Sequence, residues 1–134
     1  MLIRVDTQSP DPIYEQIVLQ VKGSVARGEL REGDRLPSVR ELAREISLNP
    51  NTVIRAYEAL ERDGIILRRQ GAGCFVTGRT SALNRGERSR QLSGLLKRSV
   101  TEAFHLGFTA DEVREALERE LKAVRFPATR RKSP

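Results

Sequence analysis

The chain has 134 residues, a formal net charge of +6 and a pI near 10.2. Hydrophobic residues make up 38% and charged residues 31%, with two Tyr, four Phe and no Trp. This composition excludes a disordered polyampholyte and a large multidomain enzyme, and it suits a helix-rich globular protein with a modest core. Cys74 is the only cysteine, so no intrachain disulfide can form, and nothing points to an oxidising compartment. The opening "MLIRVDTQSPDP" lacks the apolar core of a signal peptide, and no apolar run approaches the roughly 18 residues of a membrane span. A cytoplasmic location and no membrane partner are expected.

The basic excess suits a polyanionic partner such as nucleic acid, but it is unevenly spread. Residues 1–79 hold 12 basic and 11 acidic side chains, whereas residues 80–134 hold 12 basic and 7 acidic. Any binding of DNA by the front part must therefore come from local arrangement and not from bulk charge.

In chain order, "LIRVD" (Leu2 to Asp6) alternates weakly and reads as a short strand. Asp11 as N-cap and Pro12 at the first helical position then signal a helix. Its apolar stripe is Ile13, Ile17, Val21 and Val25, and it ends near Gly28. After the turn "ELREGDRLP", Ser38 and Glu41 have the spacing of a capping box. They open a short second helix with Val39, Leu42, Ala43 and Ile46 on its apolar face. A third helix follows almost at once. Asn49 can cap it, Pro50 fits its first turn, Val53, Ala56, Tyr57 and Leu60 share one face, and Gly64 stops it.

Two short helices across a three- or four-residue turn have helix-turn-helix spacing. "IILRRQGAGCFVTG" continues as two strands, Ile65 to Arg69 and Cys74 to Thr77, around a glycine-rich turn from Gln70 to Gly73. A hairpin in this position is a wing.

Beyond Thr80 the composition turns polar and basic. Leu92, Leu95, Leu96, Val100, Ala103 and Phe104 then mark a helix ending at Gly107, and Thr109 with Glu112 caps another carrying Val113, Ala116, Leu117, Leu121 and Val124. Two such helices form a helical hairpin too small for a core of its own, so their apolar faces are expected to pack on the front domain or on a second copy. "PATRRKSP" reads as a frayed basic tail. The fold class expected is mainly α with a small β-hairpin: a winged helix-turn-helix domain over 1–79, a two-helix dimerisation segment over 80–126 and a disordered tail over 127–134.

With the apolar face of the third helix turned inward, the 100° step per residue puts Asn51, Arg55, Glu58 and Arg62 outward and Thr52 beside them. Arginine pairs bidentately with guanine, asparagine with adenine, and threonine meets the thymine methyl or a phosphate. The structural alternative is that Asn49 merely caps and Arg55 is a solvated residue in i, i+3 contact with Glu58. Arg40, early in the second helix, and Arg35, just before it, are placed to reach phosphate. For Arg40 the alternative is pairing among its neighbours Glu41 and Arg44. In the wing, Arg68, Arg69, Gln70, Gly71 and Gly73 bring cations and close backbone approach to a nucleic acid, although a plain turn also requires the glycines.

Catalysis and metal binding find no support. "QGAGCF" lacks the Gly-Lys-Ser/Thr of a phosphate loop, and the lone Cys74 and His105 make no ligand set. Cys74 fits a small buried hydrophobe and His105 a helix end. One histidine leaves little for acid–base chemistry near neutrality.

Taken together, "GDRLPSVRELA", "NPNTVIRAYEALERDG" and the glycine-rich wing resemble the winged helix-turn-helix domain of the GntR family of bacterial transcription regulators, over residues 11–79. The short two-helix C-terminal part resembles the YtrA-type subfamily, whose members are small dimeric repressors often linked to transporter operons. This resemblance implies DNA contacts from Arg40, from Asn49 to Thr52 with Arg55, and from the wing tip at Gln70 to Gly73; Ser38, at the start of the second helix, is also in the expected DNA-binding set. It implies a double-stranded operator and a second copy as partners, and no cofactor. Pro50 and Ile54 depart from better-known subfamilies, so base preference does not carry over. The chain is too short for the effector or aminotransferase-like domains of larger relatives, and no deep small-molecule pocket is expected. The dimerisation set is Leu92, Leu95, Leu96, Val100, Phe104, Val113, Leu117 and Leu121. A winged helix used for protein or RNA binding is the alternative function, favoured by the near-neutral front half.

Overall fold

The computed structural model describes residues 3–78 and 85–126, which fall in two compact units divided between Thr80 and Ser81. The first unit contains α1 (Ile13–Ala26), α2 (Val39–Glu45), α3 (Pro50–Arg62), β1 (Ile66–Arg69) and β2 (Gly73–Val76). The second contains α4 (Arg85–His105) and α5 (Ala110–Ala123). The tail over 127–134 and the connection over 79–84 lie outside the described residues, as does Leu2.

In the first unit α3 is the hub, packing on α1, α2 and β1. Val53, Ala56, Tyr57 and Leu60 are completely buried on its inner face, with Ala59 beside them. They meet Ile17 and Val21 of α1, Leu42 and Ala43 of α2, and Ile66 and Val76 of the hairpin. Full burial of each large aliphatic side chain contributes roughly 1.5 to 3 kcal/mol, so this contiguous cluster is the main stabiliser of the unit.

Two expectations are corrected at the N-terminus. Pro12, not Asp11, occupies the N-cap of α1, and no side chain caps that helix. Residues 3–6 form no strand; they are held by two glutamine side chains of α1. The Gln20 amide accepts from the Arg4 N–H and donates to the Arg4 carbonyl, while Gln16 accepts from the Asp6 N–H and donates to the carbonyls of Asp6 and Asp11. The amides act as a substitute strand edge and press Ile3 into the core.

The helix-turn-helix itself matches the spacing argument. At α2 the Ser38 Oγ accepts from the Glu41 N–H at 3.0 Å and the Glu41 carboxylate accepts from the Ser38 N–H at 3.3 Å. At α3 the Asn49 Oδ1 accepts from the Asn51 N–H at 2.8 Å, with Pro50 in the first turn. Between them Ser47 adopts φ 53°, the left-handed region, without being glycine. That conformation costs an L-residue roughly 1 to 2 kcal/mol and lets the chain reverse at once, bringing the Leu48 N–H to the Ala43 carbonyl at 2.9 Å.

The hairpin is antiparallel, with Ile66 opposite Val76 and Arg69 opposite Gly73. The segment before α2, read from sequence as a plain turn, joins it. The Leu36 N–H donates to the Cys74 carbonyl and the Val76 N–H to the Asp34 carbonyl, so Arg35 bridges to Phe75 on the free edge of β2. The wing is thus tied on both sides.

In the second unit, α4 begins at Arg85, earlier than the apolar rhythm starting at Leu92 suggests. Gly107, at φ 87°, breaks the chain between the helices, and the Thr109–Glu112 capping box opens α5 as expected. The two helices do not close into a packed hairpin. They diverge and leave between them a groove of about 790 Å³, walled by Leu96, Val100, Ala103, Val113, Ala116 and Leu117, and neither helix has a buried residue.

Two changes probe the front unit. Tyr57 is buried, and its hydroxyl donates to the Pro37 carbonyl at 2.6 Å. Tyr57→Phe leaves that carbonyl without its donor and is expected to cost roughly 1 to 2 kcal/mol in urea unfolding with an unchanged m-value. The Ser38 hydrogen bonds, assisted by Arg35 and Arg44, hold the Glu41 carboxyl below its ordinary 4.5. A carboxyl whose folded-state pKa is depressed stabilises fully above its unfolded value and loses that contribution as pH falls through the folded one. Thermal melts below pH 4.5 are therefore expected to fall less steeply with pH for Glu41→Gln, which retains an acceptor, than for the parent.

Candidate nucleic-acid interface

Because the inner face of α3 is fixed by burial, its opposite face is fixed too. Asn51, Arg55, Glu58 and Arg62 are exposed and Thr52 is half-buried at the margin. At the exposed start of α3, Pro50 has no N–H and the Asn51 and Thr52 N–H groups are taken by the Asn49 side chain and carbonyl, so it is the helix dipole that favours an anion there. Ile54, also exposed, lies on the same outward side and offers an apolar contact.

Arg55 does not pair with Glu58. Its guanidinium lies over the ring of Tyr14 in the first turn of α1, with Cζ 3.9 Å from the ring centroid. Tyr14 was not among the residues singled out from sequence. Its half-buried ring packs against the core, and only the fold brings it beside Arg55, far along the chain.

At α2, Ser38 retains a hydroxyl hydrogen to donate while its oxygen caps the helix. Arg40 is exposed and, among the described residues, forms no ion pair, so the neighbour pairing weighed from sequence is absent; Glu41 is engaged with Ser38. Arg35 behaves differently. Its Nε donates to the Ala72 carbonyl at 3.3 Å and its Nη2 lies 3.9 Å from the Glu41 carboxylate, while its side chain remains 52% exposed. It braces the wing tip against the start of α2 and still reaches solvent.

In the wing, Arg68 and Gln70 are exposed, and Arg69 leans over the Phe75 ring with Cζ 5.3 Å from the centroid. Gly71 and Gly73 have φ of 78° and 113°. The positive φ at Gly73 strains any other residue there, and a Cβ would stand 3.0 Å from the Arg35 Nε and push that side chain aside by a few tenths of an ångström. The wing tip and the start of α2 are thus joined by the Arg35 brace and the bridge to β2.

The expected dimerisation residues are placed in the second unit. Leu92, Leu95, Leu96, Val100, Phe104, Leu117 and Leu121 are all exposed, by 40 to 73%, and Val113 is half-buried in the groove wall. Leu106, Phe108 and Phe126 extend the same apolar character and were not part of the expected set. Exposure of this extent is a strong signal of a surface that packs against something.

Cys74 packs half-buried against the core. His105 ends α4, its ring edge-on to Phe104. Among the described residues no cluster of His, Cys, Asp or Glu could hold a metal, and no helix is long and apolar enough to cross a membrane.

Comparison with known proteins agrees with this architecture. Residues 13–76 match the family described as bacterial regulatory proteins, gntR family. The chain is 38% identical over 114 residues to the HTH-type transcriptional repressor YtrA of Bacillus subtilis, covering 85% of this chain and 88% of that protein. A crystal structure described as a transcriptional antiterminator from Listeria monocytogenes is similar over 97% of this chain and 98% of its own, at 31% identity and a TM-score of 0.81. YtrA from Sulfolobus acidocaldarius, a GntR-family transcription factor, is similar over 75% of this chain and 99% of its own, at 34% identity and a TM-score of 0.62. The chain belongs to the GntR family, with the short C-terminal part of its YtrA-type members, and is a DNA-binding transcription regulator, not an enzyme.

Proposed function

We propose that this regulator is a homodimeric repressor that reads an inverted-repeat operator. The observation that carries the reading is the outer face of α3, with Asn51 and Arg55 exposed and Thr52 half-buried at its margin, together with an exposed Arg40 on α2 that forms no ion pair among the described residues. In this reading α3 enters the major groove, with Asn51 and Arg55 at base edges and Thr52 at a thymine methyl or a phosphate. Ser38, Arg40 and the backbone at Asn49 meet phosphates, with Arg35 beside them. Arg68, Arg69, Gln70 and the close-approach glycines Gly71 and Gly73 lie along the flanking backbone or minor groove.

The apolar residues of α4 and α5 support dimerisation. A lone pair of diverging helices with no buried residue has its hydrophobic surface in water, and pairing with a second copy removes it. Leu92, Leu95, Leu96, Val100, Phe104, Val113, Leu117 and Leu121 form the contact in this reading. Two-fold symmetry then sets half-sites about one helical turn, roughly 10 base pairs, apart. The repressor name of the Bacillus relative supports the sign of regulation, exerted in the cytoplasm by obstructing polymerase at the protein's own promoter or that of a neighbouring operon, such as one for a transporter. No cofactor or small-molecule effector is required.

A gel shift on the upstream region of the gene, with competitor DNA and RNA, tests the partner class. Preferential loss to RNA would overturn the operator reading. Arg55→Ala is expected to cost roughly 1 to 3 kcal/mol and relax preference at one base pair, whereas Arg68→Ala weakens all duplexes alike and lowers the salt slope by about 1. Equal, sequence-independent losses from both would remove base reading from α3. Sedimentation at micromolar concentration is expected to give a dimer; a monomer that still binds its site tightly would sink the symmetric arrangement.

A further inference from the structure

Arg55 is both exposed and restrained. Its guanidinium carbon lies over the Tyr14 ring, 3.9 Å from the ring centroid. Tyr14 is itself held, because its ring packs against the buried cluster from the first turn of α1. Among the described residues no carboxylate takes the Arg55 donors; Glu58, one turn along α3, stays apart, and the Tyr14 hydroxyl donates sideways to Glu15 at 3.2 Å. A guanidinium restrained over a ring by cation–π attraction still presents N–H groups of its planar fork to a further partner. A bidentate contact with guanine needs such a plane, fixed in orientation and open at its edge. An unrestrained arginine would lose its rotamer freedom on binding, whereas a stacked one has already lost much of it.

We infer that Tyr14 is a positioning residue for base recognition: it preorganises the Arg55 guanidinium from a helix outside the helix-turn-helix. The inference rests on the reading of Arg55 as a base contact. It also explains why the chain carries an aromatic residue at the half-exposed start of α1, where Ile17 and Val21 already supply the buried stripe.

The test uses the full chain with two duplexes of equal length: one selected by the parent protein from a random library, and its scrambled counterpart. Tyr14→Leu is expected to weaken the selected duplex on the order of fivefold, the range of one cation–π contact, and to leave the scrambled duplex unchanged. Tyr14→Phe retains the ring and is expected to behave as the parent. Pentafluorophenylalanine at position 14 keeps shape and packing while reversing the ring quadrupole, and is expected to match Tyr14→Leu even where the leucine variant folds poorly. In a double-mutant cycle Tyr14→Leu adds nothing to Arg55→Ala. An equal loss on both duplexes, a parental affinity for the fluorinated protein, or full additivity with Arg55→Ala would each overturn the positioning role. If Arg55→Ala lowers both duplexes equally, the base contact itself has failed. If Arg55→Ala discriminates and the fluorinated ring does not, only the role of Tyr14 has failed.

Discussion

The buried hydroxyl of Tyr57, donating to the Pro37 carbonyl at 2.6 Å, is the constraint on which the front unit depends. A phenol buried in a helix hub needs a partner, because an unsatisfied polar group in the core costs as much as a good contact stabilises. Burial also raises the Tyr57 hydroxyl well above the ordinary phenol value, so it stays a donor throughout the working pH range. Its acceptor stands one residue before the Ser38 cap. The bond therefore places the start of α2 relative to α3, and with it the Arg35 brace and the bridge to β2. A second tether, the exposed ion pair of Lys22 with Asp63 at 2.9 Å, joins α1 to the end of α3. At the surface it contributes little, up to about 1 kcal/mol, so the packed face and the tyrosine set the geometry.

The two units divide the physical work. Every buried hydrophobic among the described residues lies between Ile3 and Val76, so the first unit contains its own core. The second has long amphipathic helices that diverge from a glycine turn and have not satisfied their apolar faces within one chain. A unit with its own core and an open polar face and a second unit with an open apolar face are complementary: in the proposed dimer the first specifies what is touched and the second multiplies the contact by association.

Much of this was legible in the sequence because it depends on local chemistry. The two capping boxes, Asn49 with Pro50, the inward set of α3 and the hairpin turn each arise from residues within a few positions of one another, where spacing alone decides the outcome. The misses share the opposite cause. Residues 3–6 look like a strand, but glutamines ten and sixteen positions away take their hydrogen bonds. Asp11 looks like a cap, yet the helix begins one residue later than that requires. "GDRLP" looks like a turn, and becomes an edge for the wing only because β2 returns to meet it. Ser47 carries no sign of the left-handed region, since serine is tolerated there only when the helices on both sides impose it.

The candidate site divides in the same way. The sequence by itself determined which residues point outward from α3, because a helix with one buried face has no freedom in the other. It also determined the family, because three motifs fall in order over 13–76. Only the tertiary structure decided which of those outward residues are restrained: Arg35 by the wing, Arg55 by Tyr14, and Arg40 by no ion pair. Such contacts join residues tens of positions apart, and no periodicity records them; they exist only once the helices have packed.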